Sequence, residues 1–203
     1  AALNPSGMHE LDVAKYLARS YLLLLGPGGI AKIFWYDLRT HNVGLATPGL
    51  APRYLTAVTC VLSHALAGKR FARAFAVGEG NYALLWQGER QDMLALWSAC
   101  PTPQFAQVEM ATESTWELCD ILGCRHIGGE SDARSPLVVP LGDSPRYLSA
   151  PAGSIRAVSQ LRDYLYELPR NFGPGWVPAD PYKATPPAQP DDAAAIGKPA
   201  GSS

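Results

Sequence analysis

The sequence predicts an α/β part over residues 1–68 followed by an antiparallel β part. Two observations support this division. In the first part, two segments with helical spacing of apolar residues flank one continuous apolar run. In the second part, short apolar runs alternate with Gly-rich turns. We therefore expect a fold of the α/β plus β class.

The first helix is predicted over residues 8–25. Its apolar residues recur at spacings of three and four and share one face: Leu11, Ala14, Leu17, Ala18, Tyr21, Leu22 and Leu25. The segment GPGG then ends the helix. The run KIFWYDLR at 32–39 follows, and its lack of alternation is typical of a strand covered on both faces.

A second helix is predicted over residues 51–68, with Pro52 in its first turn and Gly68 at its end. Helix, strand, loop and helix form the repeating unit of an α/β sheet or barrel. A single parallel strand in one such unit leaves both of its edges and faces uncovered. Residues 1–68 are therefore expected to be the last piece of a larger structure.

From Lys69 the pattern predicts an antiparallel sandwich or barrel edge, assigned to residues 69–152. The segment after Gly68 is predicted to form three short strands joined by the turns GEGN and GERQ. Trp86 and Trp97 are expected to fill its core or its seam with the α/β part. Residues 153–172 are predicted to form a terminal helix with Ser154 as N-cap. Residues 173–203 are predicted to be a disordered Pro/Ala-rich tail.

Charge and cysteine content exclude several classes of function. The 17 basic and 18 acidic residues form no basic stripe, so neither nucleic acid nor membrane is expected as a partner. The spacing of Cys60, Cys100, Cys119 and Cys124 fits neither a disulfide scaffold nor a zinc site. No metal and no cofactor is therefore predicted. An extracellular or periplasmic location would require a signal upstream of Ala1.

Five segments follow one another in order: DVAKYLARSYLLLLGPGGIAKIFWYDLR, VGLATPGLAPRYLTAVTCVLSHALAGKRFAR, YALLWQGERQDMLALWS, ELCDILG and VPLGDSPRYL. This series resembles the C-terminal part of bacterial clan A glycoside hydrolases, particularly family 39-like and family 5-like proteins. In those enzymes a (β/α)8 barrel precedes a small β-sandwich. The resemblance implies that residues 1–68 are the last βα portion of such a barrel, with KIFWYDLR in the eighth strand.

The resemblance also implies where the catalytic groups lie. The acid/base Glu of these enzymes follows the fourth barrel strand and the nucleophile Glu ends the seventh, so both would precede residue 1. Glycoside hydrolysis needs two carboxyl groups, about 5 to 5.5 Å apart in retaining enzymes. No catalytic residue is therefore predicted in this chain, which is expected to be inactive alone and to need the missing N-terminal barrel portion as a partner.

Four residues near the end of the predicted strand are candidates for contact with carbohydrate. Trp35 would stack on a sugar ring, as an aromatic at this strand end commonly does in the resembled enzymes. Asp37 lies where (β/α)8 enzymes place working groups, and Arg39 and His41 could donate to hydroxyls. The alternatives are core packing for Trp35, a capping role for Asp37 and a plain surface for the other two.

Three functional hypotheses follow. The chain is the C-terminal part of a glycoside hydrolase, or a noncatalytic carbohydrate-binding β-sandwich module, or a general interaction protein. If Trp35 points toward the axis of a barrel, its two neighbours in the run are expected to pack outward against the helices, because side chains alternate along a strand. Carbohydrate is the expected ligand under the first two hypotheses.

Overall fold

The structure is a computed structural model that describes residues 8–35, 38, 44–111, 114–130 and 136–161. In this part of the chain, two helices precede a series of strands. The elements are α1 (Glu10–Leu25), α2 (Tyr54–Leu66), β1 (Lys69–Phe75), β2 (Asn81–Gly88), β3 (Gln91–Ser98), β4 (Gln104–Met110), β5 (Thr115–Asp120), β6 (Arg125–Glu130), β7 (Leu137–Leu141), β8 (Arg146–Pro151) and β9 (Ile155–Gln160). Both predicted helices and the predicted antiparallel strands after Gly68 are confirmed.

The strands form two antiparallel sheets. The larger has six strands in the order β1-β2-β3-β8-β5-β6, and the smaller has three in the order β7-β4-β9. Strands β1 to β3 are neighbours along the chain, whereas β8 returns from a distance to lie between β3 and β5. The larger sheet therefore depends on contacts between residues far apart in sequence.

The two sheets enclose a shared apolar core. Leu85, Leu94 and Leu148 of the six-stranded sheet belong to one buried cluster with Val108 and Val139 of the three-stranded sheet. Residues at alternate positions on each strand point to one face. The faces of the two sheets that meet are therefore the apolar ones.

The opposite face of the six-stranded sheet packs against the helices. Leu22 of α1 and Leu55 of α2 share a second buried cluster with Trp86 and Trp97. Those two indoles are 3% and 1% exposed, so the prediction that they fill the core or its seam is confirmed. Because both faces of this sheet are covered, β3 is buried along nearly its whole length.

The predicted terminal helix is wrong over residues 155–160, which form β9 and pair with β4. Ile155 pairs with Met110 and Ala157 with Glu109, so Arg156 is an extra residue in the ladder. Such a bulge puts Ile155 and Val158 on the same face of the strand. Their spacing of three resembled a helical pattern for this reason. The predicted tail and the rest of the predicted helix lie outside the described residues.

The predicted strand at KIFWYDLR is also not present over its described residues. Residues 32–35 have no regular secondary structure, and residues 36 and 37 lie outside the described part. A parallel strand exists only when a neighbouring strand accepts and donates its backbone hydrogen bonds. Strands β1 to β9 pair among themselves and provide no such neighbour for this segment.

Candidate functional site

The structure places one of the four candidate sugar-contacting residues. Trp35 is half-buried and packs against the cluster that α1 and α2 share with the sheet. Asp37, Arg39 and His41 lie outside the described residues. A role for these four residues in binding carbohydrate therefore stays a prediction.

The orientation expected for Phe34 in a complete barrel is not observed in the chain alone. This side chain was expected to pack against the helices, but it is 84% exposed, and Trp35 contacts the helix-bearing cluster instead. Outside a strand, the backbone does not impose alternation on neighbouring side chains. Trp35 can then bury its ring against the apolar cluster that is available in this chain.

A groove at the start of the two helices is lined by Glu10, Thr47, Pro52, Arg53 and Tyr54, among others. The Tyr54 backbone N–H donates to Glu10 Oε1 at 3.3 Å, which joins the first turns of α1 and α2. Among the described residues that line this groove, Glu10 is the one with a carboxylate. One carboxylate cannot act as both acid and nucleophile. The described residues of this groove therefore do not supply the pair of carboxyl groups that glycoside hydrolysis needs.

A second cavity, of about 500 Å³, lies between α2 and the six-stranded sheet. Cys60, Val61, His64 and Ala65 form its helical wall. The sheet wall is built from polar or small residues of five strands, including Lys69, Gln91, Glu117, Cys119, Arg125, Tyr147 and Ser149. Most of these positions carry polar or small side chains, whereas Tyr147 is buried in the apolar cluster that the helices share with the sheet.

Tyr147, Cys119 and Arg125 lie in a row across three strands of the sheet wall. Tyr147 of β8 pairs with Cys119 of β5, which pairs in turn with Arg125 of β6. Directly opposed residues in neighbouring strands project from the same face. At the edge of the row, Arg125 Nε lies 3.3 Å from Glu117 Oε1.

Two acidic groups in this cavity hold their protons. Burial, and then the nearby Cys119 and Asp120, raises the pKa of the Tyr147 phenol well above its usual value. Burial, and then the Asp120 carboxylate, raises the pKa of the Cys119 thiol. A protonated thiol is a poor nucleophile, and a neutral phenol is a hydrogen-bond donor. Burial therefore favours the protonated, uncharged form of both groups.

Two other kinds of site can be assessed over the described ranges. Their His, Cys, Asp and Glu residues form no group of three or more that could hold a metal ion. Among the same residues, no helix is long and apolar enough to cross a membrane.

The sequence did not reveal the cavity, although it contained a signal. Glu117 and Cys119 alternate with the buried Leu118 in β5, and Tyr147 and Ser149 alternate with the buried Leu148 in β8. Two strands with a polar or small second face at adjacent positions indicate a face that is not filled with apolar packing. Only the pairing of β5 with β8 shows that these two faces adjoin in the sheet.

Exposed apolar residues are concentrated in the helical part. Among the described residues, nine large apolar side chains are exposed, and Leu122 is the one that lies in the β part. We call the other eight the N-terminal apolar surface: Met8, Tyr16, Leu24, Ile30, Phe34, Leu38, Leu50 and Tyr54.

No protein-family model matches the chain, and no curated protein matches it either. Among solved structures, the fold is similar to a family 39 glycoside hydrolase from the gut symbiont Bacteroides cellulosilyticus WH2, with a TM-score of 0.57 and 21% identity over 75% of this chain. It is also similar to a family 30 subfamily 8 xylanase from Clostridium acetobutylicum, with a TM-score of 0.51 and 12% identity over 75% of this chain. The match spans 32% of the first protein and 40% of the second, so the chain shares the fold of a minor portion of each glycoside hydrolase.

Proposed function

We propose that this chain is the C-terminal part of a glycoside hydrolase that acts on O-glycosidic bonds, with the catalytic pair of Glu residues outside the chain. The similarity of fold to two glycoside hydrolases supports this proposal. The ordered series of segments in the sequence points to the same group of enzymes. In this proposal, residues 1–68 close a (β/α)8 barrel and residues 69–152 form the β-sandwich that follows it.

The N-terminal apolar surface is the observation that carries the proposal. Exposed apolar residues mark a surface that binds a partner when they form a patch, and we infer such a patch here from their concentration in one stretch of the chain. Here eight of nine lie between residues 8 and 54, while the described strands bury most of their apolar side chains. The expected cover is the preceding part of the barrel, because the matched glycoside hydrolases are more than twice as long as the region they share with this chain.

The segment KIFWYDLR is expected to change when the barrel is complete. In the chain alone, residues 32–35 have no strand partner, and Phe34 is exposed. A neighbouring strand from the missing portion would supply the backbone hydrogen bonds that a parallel strand needs. Residues 32–39 would then form the eighth strand, with Trp35, Asp37, Arg39 and His41 at the substrate side.

The assay that tests this proposal compares two proteins on aryl glycosides and polysaccharides. One is the chain of 203 residues, and the other is the polypeptide translated continuously from the coding sequence upstream of Ala1. We expect no turnover by the chain alone and hydrolysis by the extended protein. Turnover by the chain alone, or an extended protein with no barrel-borne pair of carboxylates, would refute the proposal.

The alternative is a noncatalytic module that binds carbohydrate through its β part. Such modules need an accessible aromatic face on which a sugar ring can stack. Among the described residues of β1 to β9, no Trp, Tyr or Phe is among the exposed large apolar side chains. Binding of polysaccharide by the chain alone, unaffected by changes in the N-terminal apolar surface, would favour this alternative.

A further inference from the structure

We propose that the cavity between α2 and the six-stranded sheet binds a small oxyanion, a molecule that carries a carboxylate or phosphate group, in contact with Lys69 and Tyr147. This site lies on the sheet face behind α2 and is separate from the predicted sugar-contacting residues around Trp35. It does not depend on the proposed glycosidase function.

The cavity has the size and construction of a ligand site. Its volume of about 500 Å³ falls within the range of about 300 to 1,000 Å³ that is typical of small-molecule pockets. Val61 and Ala65 supply apolar contacts from α2, and polar side chains converge from the sheet. Apolar walls with a few converging polar groups are the usual composition of such pockets.

Hydrogen-bond donors predominate in the polar lining. Lys69 and Arg125 are donors only, and Gln91, Ser149 and Tyr147 each offer a donor. Glu117 is the one acceptor-only side chain in the lining, and it already lies 3.3 Å from Arg125. Lys69 has no carboxylate partner among the described residues. A ligand that matches this lining must be rich in acceptors and negatively charged.

The Tyr147 hydroxyl is the second, independent observation. Tyr147 lines the cavity, is 1% exposed, and its hydroxyl has no hydrogen-bond partner among the described residues. Buried polar groups are nearly always hydrogen-bonded, so each exception needs an explanation. Burial also raises the pKa of this phenol, which keeps it a donor in neutral solution. The hydroxyl is closed off from solvent in the chain without a ligand, so a small movement of the Tyr147 ring would let a bound oxyanion supply the missing acceptor.

The experiment is a titration of the isotope-labelled chain followed by amide NMR. The probes are inorganic phosphate and citrate, with sodium chloride at matched ionic strength as the control for general screening and glucose as the neutral control. The variants are Tyr147→Phe, which removes only the unpartnered hydroxyl, and Lys69→Gln. Arg156→Gln, on the exposed side of β9, is the matched loss of one positive charge away from the cavity.

We expect saturable shifts of the amides around Lys69, Cys119, Arg125 and Tyr147 with phosphate or citrate. Tyr147→Phe and Lys69→Gln should each weaken binding by about tenfold, with Arg156→Gln unchanged. Tyr147→Phe should also unfold at the same or a higher temperature, because it removes an unsatisfied buried group. Comparing phosphate with citrate shows which type of oxyanion the site prefers.

Three outcomes would overturn the proposal. The first is shifts with both anions that do not saturate or that sodium chloride reproduces. The second is saturable binding that Tyr147→Phe and Lys69→Gln leave intact. The third is binding of glucose in the cavity without binding of either anion, which would assign the site to neutral sugars. A lower unfolding temperature for Tyr147→Phe would show that its hydroxyl has a structural partner, and it would remove the argument from that group.

Discussion

Lys15 of α1 and Asp143 of the β7–β8 turn form an ion pair, with Nζ 2.8 Å from Oδ2. The Lys15 side chain is 2% exposed, whereas Asp143 is 49% exposed. Lys15 Nζ also lies 3.3 Å from Asp12 Oδ1 of the same helix. A buried ammonium is costly unless it is paired, so this contact ties the first helix to the β part of the chain.

Removal of the Asp143 charge should destabilise the protein more than removal of the Lys15 charge. Asp143→Asn leaves the buried ammonium with one fewer partner, and we expect a loss of about 1 kcal/mol in the free energy of unfolding, limited by the exposure of the carboxylate. Lys15→Met replaces the charge with an apolar chain and should cost less. Chemical denaturation of both variants and of the double variant measures this.

Glu89→Gln is the matched control, because Glu89 is an exposed carboxylate in the β2–β3 turn. It should leave the unfolding midpoint unchanged. If Asp143→Asn lowers the free energy of unfolding less in the Lys15→Met background than in the parent chain, the two residues interact as proposed. Equal and additive losses for the two single variants would contradict the account.

Gly26 is expected to tolerate no side chain. A Cβ at this position would lie 2.8 Å from the Leu22 backbone oxygen, 3.0 Å from the Phe71 ring and 3.1 Å from the Trp86 ring, so neither the helix end nor the sheet leaves room for alanine. Gly26→Ala should lower the free energy of unfolding by about 1 to 3 kcal/mol. Thermal unfolding measures the loss. Gly142→Ala is the control, since a Cβ there meets no atom within 4 Å, and equal unfolding temperatures for the two variants would refute the close approach.

Trp35 and Phe34 offer a matched pair of adjacent aromatic residues. Trp35 packs against the buried cluster, whereas Phe34 is 84% exposed. Trp35→Ala should therefore cost the chain about 1 to 3 kcal/mol of stability, and Phe34→Ala should cost little. Denaturant unfolding of the chain tests this directly. A larger loss for Phe34→Ala would show that the packing of this segment is different.

Stability should fall in alkaline solution because of Tyr147. The usual pKa of a tyrosine is 10.0, and burial raises that of Tyr147 in the folded protein. Above about pH 10 the unfolded chain releases this proton while the folded chain retains it, so ionisation favours the unfolded state. The stabilising contribution is therefore complete below pH 10 and is lost as the pH rises.

Tyr147→Phe should show a smaller loss of stability above pH 10 than the parent chain. Free energies of unfolding measured across this range for the two proteins provide the comparison. Tyr82→Phe, which changes a half-buried tyrosine of β2, controls for the removal of a phenol. Parallel pH profiles for the parent and Tyr147→Phe would contradict the assigned burial effect.

The helices and most strands could be predicted from sequence because their patterns are local. The apolar residues of α1 recur at helical spacing. Gly68 has a φ of +68° and follows the end of α2 by two residues, so it stops the helix as predicted. The turn GEGN likewise lies between β1 and β2. Each of these signals depends on a few neighbouring residues, so it survives without knowledge of the tertiary structure.

The remaining features depend on pairing between distant residues. The bulge at Arg156 gives β9 an apolar spacing of three, and only its register with β4 distinguishes it from a helix. Edge strand β6 has the sequence RHIGGE, which has neither apolar alternation nor β-branched enrichment beyond Ile127. The cavity wall arises where β8 returns between β3 and β5. None of these relationships is contained in a short stretch of sequence.

Hydrogen exchange of the chain alone and of the N-terminally extended protein tests the central claim most directly, because it shows whether the preceding segment covers the helical part. We predict that amides from Ala31 to Trp35, which have no regular secondary structure, exchange quickly in the chain alone and gain strong protection in the extended protein, as a strand paired within a barrel would. The amides of β4, β7 and β9, which are already paired, should exchange at the same rate in both proteins. Unchanged exchange from Ala31 to Trp35 in the extended protein would contradict the claim that this chain completes a glycosidase barrel.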